Sequence, residues 1–172
     1  MDESQVKAIV SAVVDRYLTE GSSPATQKWR VAIGTDHGGV DLKAALKAKL
    51  QSAGHTVSDV GTHSKESVDY PDIAAAVARK VATGQSDFGI IIDGAGIGST
   101  MAANKINGIR AALCYNEPTI LNSRLHNNAN VLCLGARFHS AYEAWQLVEL
   151  WLSTEFEGGR HQKRIDKITG LE

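Results

Sequence analysis

The stretch Phe88-Gly89-Ile90-Ile91-Ile92-Asp93-Gly94-Ala95-Gly96-Ile97-Gly98-Ser99-Thr100-Met101-Ala102-Ala103-Asn104-Lys105 decides the fold. Its first five residues form an apolar run of the kind that makes a parallel strand buried on both faces. Thr100 to Lys105 reads as a helix start. Between them lies a glycine loop led by a carboxylate. Strand, glycine loop and helix N-terminus in that order make a site for an anion. Glycines let the backbone come close, and free N–H groups point at the guest. Asp93 places a possible general base beside those donors, the pair that proton abstraction next to a carbonyl needs. Taken alone, such a loop is as often a simple chain reversal. Its glycines fall at 94, 96 and 98, not in the dinucleotide spacing, and no Gly-Lys-Ser/Thr follows. A small anionic ligand fits it best.

Working outward, strands and helices alternate from Trp29 onward. Val31 to Thr35 reads as the first strand. Leu42, Ala45, Leu46, Leu50 and Ala53 form a helical stripe stopped by Gly54. Val57 to Val60 is the second strand, and Ile73, Ala74, Val77 and Val81 mark a second helix stopped by Gly84. After the central strand come strands at Ile109 to Cys114 and Val131 to Leu134. Helices are expected at Pro118 to Leu125 and Tyr142 to Thr154. This order predicts an α/β protein, a Rossmann-like three-layer sandwich around a five-stranded parallel sheet. Ligands in such folds bind at the carboxyl ends of the strands.

Polar residues gather where those ends fall. Asp36-His37 follows strand one, Asp69-Tyr70 precedes the second helix, and Arg137-Phe138-His139 follows strand five. Each alone is as readily a helix cap or a satisfied loop residue. Together at one sheet edge they point to a site. His126-Asn127-Asn128 lies at the far end of the helix before strand five. The segment Gly158 to Arg164 holds four groups able to carry positive charge. It reads as a solvated tail or as a phosphate clamp, since guanidinium forks match phosphate oxygens.

Composition narrows the classes. The chain has 172 residues, enough for one domain with a core of its own, and a formal net charge of −1. Nothing in that balance argues for nucleic acid, no apolar stretch is long enough to span a membrane, and no secretory leader is visible. Cys114 and Cys133 sit inside strand-like runs and read as core residues of a cytoplasmic protein. The six histidines show no metal-ligand spacing. Residues 1–28 differ from the rest. Val6, Ile9, Val10, Val13, Val14, Tyr17 and Leu18 make one apolar face of an amphipathic helix, followed by a flexible Gly21-Ser22-Ser23-Pro24 linker. Such a helix folds back on its own core or docks on a partner. The expected division is therefore 1–28 as extension and 29–172 as the catalytic domain.

Several motifs resemble the ribose-5-phosphate isomerase B family, which includes galactose-6-phosphate isomerase subunits. They are Gly34-Thr35-Asp36-His37-Gly38-Gly39, Ser67-Val68-Asp69-Tyr70-Pro71-Asp72, and Gly94 to Lys105. Further along come Gly108 to Cys114, His126 to Leu132, Leu134-Gly135-Ala136-Arg137 and Glu155 to His161. The resemblance implies interconversion of aldose and ketose phosphates through an enediolate, with no metal and no cofactor. It makes Asp36, His37 and Tyr70 substrate-binding. It makes Gly94, Ala95, Gly96, Ile97 and Gly98 the cradle for the enediolate, and Ser99 substrate-binding. It makes His126 the acid/base that opens the sugar ring, with Asn127 beside it. Arg137, Arg160 and Arg164 become arginines for substrate and phosphate. In the family the last two come from the partner subunit, which implies a homodimer, or a dimer of dimers, with shared sites.

Two departures stand out. Many members carry cysteine as the base where this chain has Asp93, and Thr or Ser where it has Ala95. Another branch places glutamate where this chain has Ser99. Asp93 is the only carboxylate of the loop and is expected to be the base. Ribose 5-phosphate and ribulose 5-phosphate are the favoured pair. A tetrose, deoxy or hexose phosphate, or binding without turnover, are the alternatives. The N-terminal extension resembles the helices that target enzymes to bacterial microcompartments, which would make a shell or cargo protein a further partner of residues 1–20.

Overall fold

The computed structural model describes residues 27–172. The expected helix and most of the linker of the N-terminal extension lie outside the described residues. From there the chain forms β1 (Arg30–Thr35), α1 (Val40–Ser52), β2 (Thr56–Asp59), α2 (Tyr70–Ala82) and β3 (Phe88–Asp93). It continues through α3 (Ile97–Ala103), β4 (Ala111–Leu113), α4 (Glu117–Leu125), β5 (Val131–Gly135), α5 (Ala141–Ser153) and α6 (Gln162–Thr169). Short 3₁₀ turns at His37–Gly39 and Gly159–His161 lead into α1 and α6.

The five strands are all parallel, in the order β2-β1-β3-β5-β4. Alternate residues face opposite layers, as the two-residue strand period requires. Val31, Ile33, Ile90, Ile92, Leu132 and Leu134 pack with Leu42, Leu46 and Leu50 of α1, Ile120 of α4 and Val148 and Trp151 of α5. Ala32, Ile91, Val131 and Cys133 pack with Ala74, Val77, Ala78 and Val81 of α2 and Ala103 of α3. This is the expected three-layer sandwich. From β1 the chain crosses to β2 on one side, while β3 lies on the other. The crevice between the carboxyl ends of β1 and β3 is therefore the switch point where α/β sheets take ligands.

Buried Arg124 pins the end of α4. Its guanidinium lies 4.8 Å from the Phe88 ring centre and 5.2 Å from that of Trp151. Its Nε donates to the Thr154 carbonyl at 3.1 Å and Nη1 to the Ala129 carbonyl at 2.6 Å. Both cysteines are buried and free, as expected, and burial pushes the Cys133 thiol up to about 12. No helix among the described residues is long and apolar enough to cross a membrane.

Three elements differ from expectation. Helix α3 begins at Ile97, not Thr100, because the Asp93 carboxylate accepts from Gly96 N–H and, at 3.1 Å, from Ser99 N–H, capping the helix three residues early. Strand β4 is shorter than Ile109 to Cys114. Ile109 N–H bonds back to Ile106, and Arg110 N–H goes to the Asn130 side chain at 2.8 Å, so the ladder starts at Ala111. The basic C-terminal segment is not a tail but a 3₁₀ turn and helix α6, which bury His161 and Ile165.

Candidate active site

The site is built from the loops that leave β1, β3 and β5. Asp36 follows β1 and caps the turn beyond it, its Oδ1 accepting from Gly38 N–H at 2.9 Å. His37 stands exposed on that turn, its Nδ1 3.5 Å from Val68 N. A Cβ on Gly38 would lie 3.9 Å from Gly94 N, so the loops after β1 and β3 run side by side. Tyr70, the first residue of α2, lies against Gly98. Any side chain at Gly98 would meet the phenol ring at 2.5–2.7 Å. Arg137 follows β5. Its N–H donates to the Gly94 carbonyl at 3.2 Å, and its exposed guanidinium lies alongside Gly94. Asp36, His37, Tyr70, the loop Gly94-Ala95-Gly96-Ile97-Gly98-Ser99 and Arg137 thus share one crevice.

Asp93 leads the loop and is buried. Its Oδ1 accepts from Ala95 N–H at 2.7 Å and from Gly96 N–H, and its Oδ2 accepts from Ser99 N–H. The carboxylate thus sits among the loop's own donors. Ser99 Oγ, in the same turn, is buried without a hydrogen-bond partner. Tyr115, which the sequence reading passed over, donates its hydroxyl to the Ala95 carbonyl at 2.6 Å and braces the loop from the β4 side. Its place just after a strand end was the available signal. His139 turns both ring nitrogens into buried space without partners, and burial holds its pKa below the ordinary histidine value.

The remaining expected residues form a second cluster. His126 closes α4, with Asn122 Nδ2 3.0 Å from its Nδ1. With that amide as donor, Nε2 carries the ring proton and faces Glu157 at 3.4 Å. The ring stacks on His161, centroids 4.2 Å apart and 7° from parallel. Asn127 Nδ2 donates to Asn122 Oδ1 at 3.0 Å. Arg160 Nε donates to His161 Nε2 at 3.3 Å, and exposed Arg164 lies one turn further on α6. Burial, then His126 and Arg160, hold the His161 pKa down. His126, Glu157 and His161 bring ligand-type atoms within 4.8 Å of one another. The rings are stacked face to face and Arg160 already donates into the group, so a cation would have to displace a guanidinium. Anionic partners suit it better. Glu157 and His161 were legible only as members of the motif Glu155 to His161, with no role of their own.

Within one chain these clusters do not meet. Helix α4 runs back from the carboxyl edge of the sheet, so His126 and Asn127 lie at the opposite edge, beside Asn130 and Arg110. The length of β5, about 13 Å, separates that edge from the cradle.

Residues 31–168 match the model of the Ribose/Galactose Isomerase family. The chain belongs to that family. It is 45% identical over 143 residues to ribose-5-phosphate isomerase B of Escherichia coli, covering 83% of this chain and 96% of that protein. Among solved structures, ribose-5-phosphate isomerase B of Clostridium thermocellum is 47% identical, with a TM-score of 0.81 over 83% of this chain and 96% of the other. The Mycoplasma genitalium enzyme, solved with bound ribulose-5-phosphate, is 44% identical, with a TM-score of 0.79 over 83% and 95%. Membership in the Ribose/Galactose Isomerase family accounts for the cradle at the switch point. The matched span leaves the first thirty residues outside it.

Proposed function

We propose that this protein is an aldose–ketose isomerase of a sugar phosphate, with ribose 5-phosphate and ribulose 5-phosphate as its pair. The observation that carries this reading is the amide cradle at the β1/β3 crevice, walled by Asp36, His37, Tyr70 and Arg137. The ribulose-5-phosphate bound to a relative with the same fold supports the choice of sugar. Asp93 takes the C2 proton of the aldose. The C–H electron pair forms the C1–C2 double bond, and the carbonyl pair moves onto O1, where loop N–H groups receive it. Return of the proton to C1, with transfer of the O2 hydroxyl proton to O1, gives the ketose.

A second copy of the chain completes the site. His126, with Asn127 beside it, opens the sugar ring, and Arg160 and Arg164 grip the phosphate from the partner's opposite sheet edge. Ile97, Met101, Tyr115, Phe138 and Tyr142 are exposed on the loops and helices at the cradle's edge. Such apolar exposure favours a covering partner. The two buried free cysteines suit the cytoplasm. Residues 1–28 serve as a docking extension, for a microcompartment shell or cargo protein. Fused to a fluorescent protein in cells that make such shells, they concentrate the signal at the shells. Diffuse fluorescence defeats that assignment.

The enzymatic reading is tested by assaying the purified protein against a panel of aldose phosphates. Turnover of ribose 5-phosphate above that of tetrose, deoxy and hexose phosphates is expected. Turnover of another sugar moves the assignment to that sugar. One observation favours a second reading, a sugar-phosphate-binding protein: the Asp93 carboxylate lies on the amides that would receive the oxyanion. Tight binding without turnover of any sugar establishes it.

A further inference from the structure

We infer that the Asp93 carboxylate is the resident anion of the cradle, and that the sugar must displace it before reaction. The inference rests on the isomerase reading and specifies how its loop is used. Ala95 N–H donates to Oδ1 at 2.7 Å, Gly96 N–H to the same oxygen, and Ser99 N–H to Oδ2 at 3.1 Å. The Ala95 and Gly96 amides belong to the segment assigned to the enediolate, and Ser99 follows it directly. A second anion cannot use them while the carboxylate does, since each N–H makes one good hydrogen bond. The side chain is also too short to leave the loop, so displacement moves it only to the rim of the cradle. Ser99 Oγ, buried and unpartnered in the same turn, is a donor with nothing yet to donate to.

Displacement gives the reaction an order. The sugar carbonyl enters the amides, the carboxylate swings out, and it stands beside C2 without its three donors. It then accepts the C2 proton as the C–H pair moves into the C1–C2 bond and the carbonyl pair onto O1. One negative charge moves from carboxylate to enediolate, so the amides hold the carboxylate before the sugar enters and the enediolate after the proton has moved. A cysteine at this position would leave the cradle without a built-in carboxylate. The aspartate chain therefore binds substrate against an internal competitor.

The probe is the phosphorylated four-carbon hydroxamate, a planar mimic of the five-carbon enediolate, titrated calorimetrically into the full chain and its variants. Asp93→Ala empties the cradle and should bind the hydroxamate about tenfold tighter or more, the worth of a hydrogen bond to a charged group. Asp93→Asn keeps an oxygen on the same amides without the charge, and should tighten binding less. Formate should compete with the hydroxamate in Asp93→Ala and not in the parent. Equal tightening in both variants without formate competition would mean relief of charge repulsion alone and overturn the proposal. No tightening in either variant would overturn it too. If Asp93→Ala does not fold, Asp93→Asn decides: affinity equal to or below the parent's overturns the displacement. Turnover reads the underlying assignment separately. Asp93→Asn should lose several orders of magnitude, and near-parental turnover would remove Asp93 as the base whatever the binding data say.

Discussion

Gly96 sits at φ +81°, and a Cβ there would collide with Leu113 Cδ1 and lie 3.1 Å from the Leu134 carbonyl carbon. Its conformation and its surroundings both demand glycine. The left-handed backbone turns the amides of residues 95, 96 and 99 inward onto one side chain. Gly96→Ala should therefore cost about 1–3 kcal/mol of stability for the strained backbone alone. Turnover should fall further than stability does, because the donors lose their common focus. Thermal melting compared with kcat/KM of the folded variant checks this. An active, stable Gly96→Ala would mean that the loop tolerates another geometry. The loop's composition made this position legible in sequence. The destination of its amides was not, because a carboxylate that leads a glycine loop reads equally as base, cap or resident anion.

Among the elements, β4 shows how side chains finish a sheet. It is a three-residue edge strand, and the outer backbone groups of its first residue, Ala111, are met by one side chain. Asn104 Oδ1 accepts from Ala111 N–H at 2.8 Å, and Nδ2 donates to the Ala111 carbonyl at 2.9 Å. The amide imitates a neighbouring strand. Asn104→Ala removes both bonds and should destabilise the protein by about 1–3 kcal/mol. The denaturation midpoint should move with little change in slope. An unchanged midpoint would show water serving as well. Strands with continuous apolar runs, such as Phe88 to Ile92, were legible because burial on both faces writes itself into composition. Helix α6 was not. Only Ile165 is buried, and the pair Ile165 and Ile168 is too short a stripe to mark a helix among charged neighbours. Nor does alternation of elements reveal that β5 lies between β3 and β4, because strand order depends on packing between distant segments.

At the scale of the molecule, the candidate site was legible as a roster and not as a map. The motifs named Asp36, His37, Tyr70, Arg137 and the cradle, and these share a crevice. They also named His126 and Asn127, which the direction of α4 carries to the other sheet edge, and Arg160 and Arg164, which the stacking of His161 on His126 brings beside them. A mixture answers whether two copies reunite them. Arg160→Ala or Arg164→Ala should raise KM for phosphorylated sugars, with a loss of about 1.5–3 kcal/mol for a charged hydrogen bond. An Arg164→Ala chain paired with an Asp93→Asn chain should recover activity, because one of the hybrid's two sites holds both residues intact. A verified hybrid without recovery places the arginines outside a shared site.

Acid should loosen the whole structure. His55, His139 and His161 are held below the ordinary histidine range, burial being the leading cause in each. The unfolded chain then takes up protons at higher pH than the folded one. Stability from these groups is full above about pH 6.5 and is lost as pH falls through that value toward the lower folded pKa values. Two carboxylates stay ionised through that window. Burial works against the charge of Asp59, but hydrogen bonds from Lys43, Lys47 and Gly61 N–H outweigh it and hold the pKa down. Arg30 does the same for Asp87. A Tm lower at about pH 5.5 than at about pH 7.5 is expected. No difference would mean that the imidazoles keep their ordinary titration in the fold.

The placement of His126 and Arg160 at the edge away from the cradle has a kinetic consequence. If the proposed pairing of two copies completes the site, a lone chain owns every part and no working whole, so dilution acts as an inhibitor. Well below the dissociation constant of the pair, the observed rate should rise with the square of protein concentration. Specific activity then becomes a property of abundance, and crowding chains together switches the chemistry on with no effector at all.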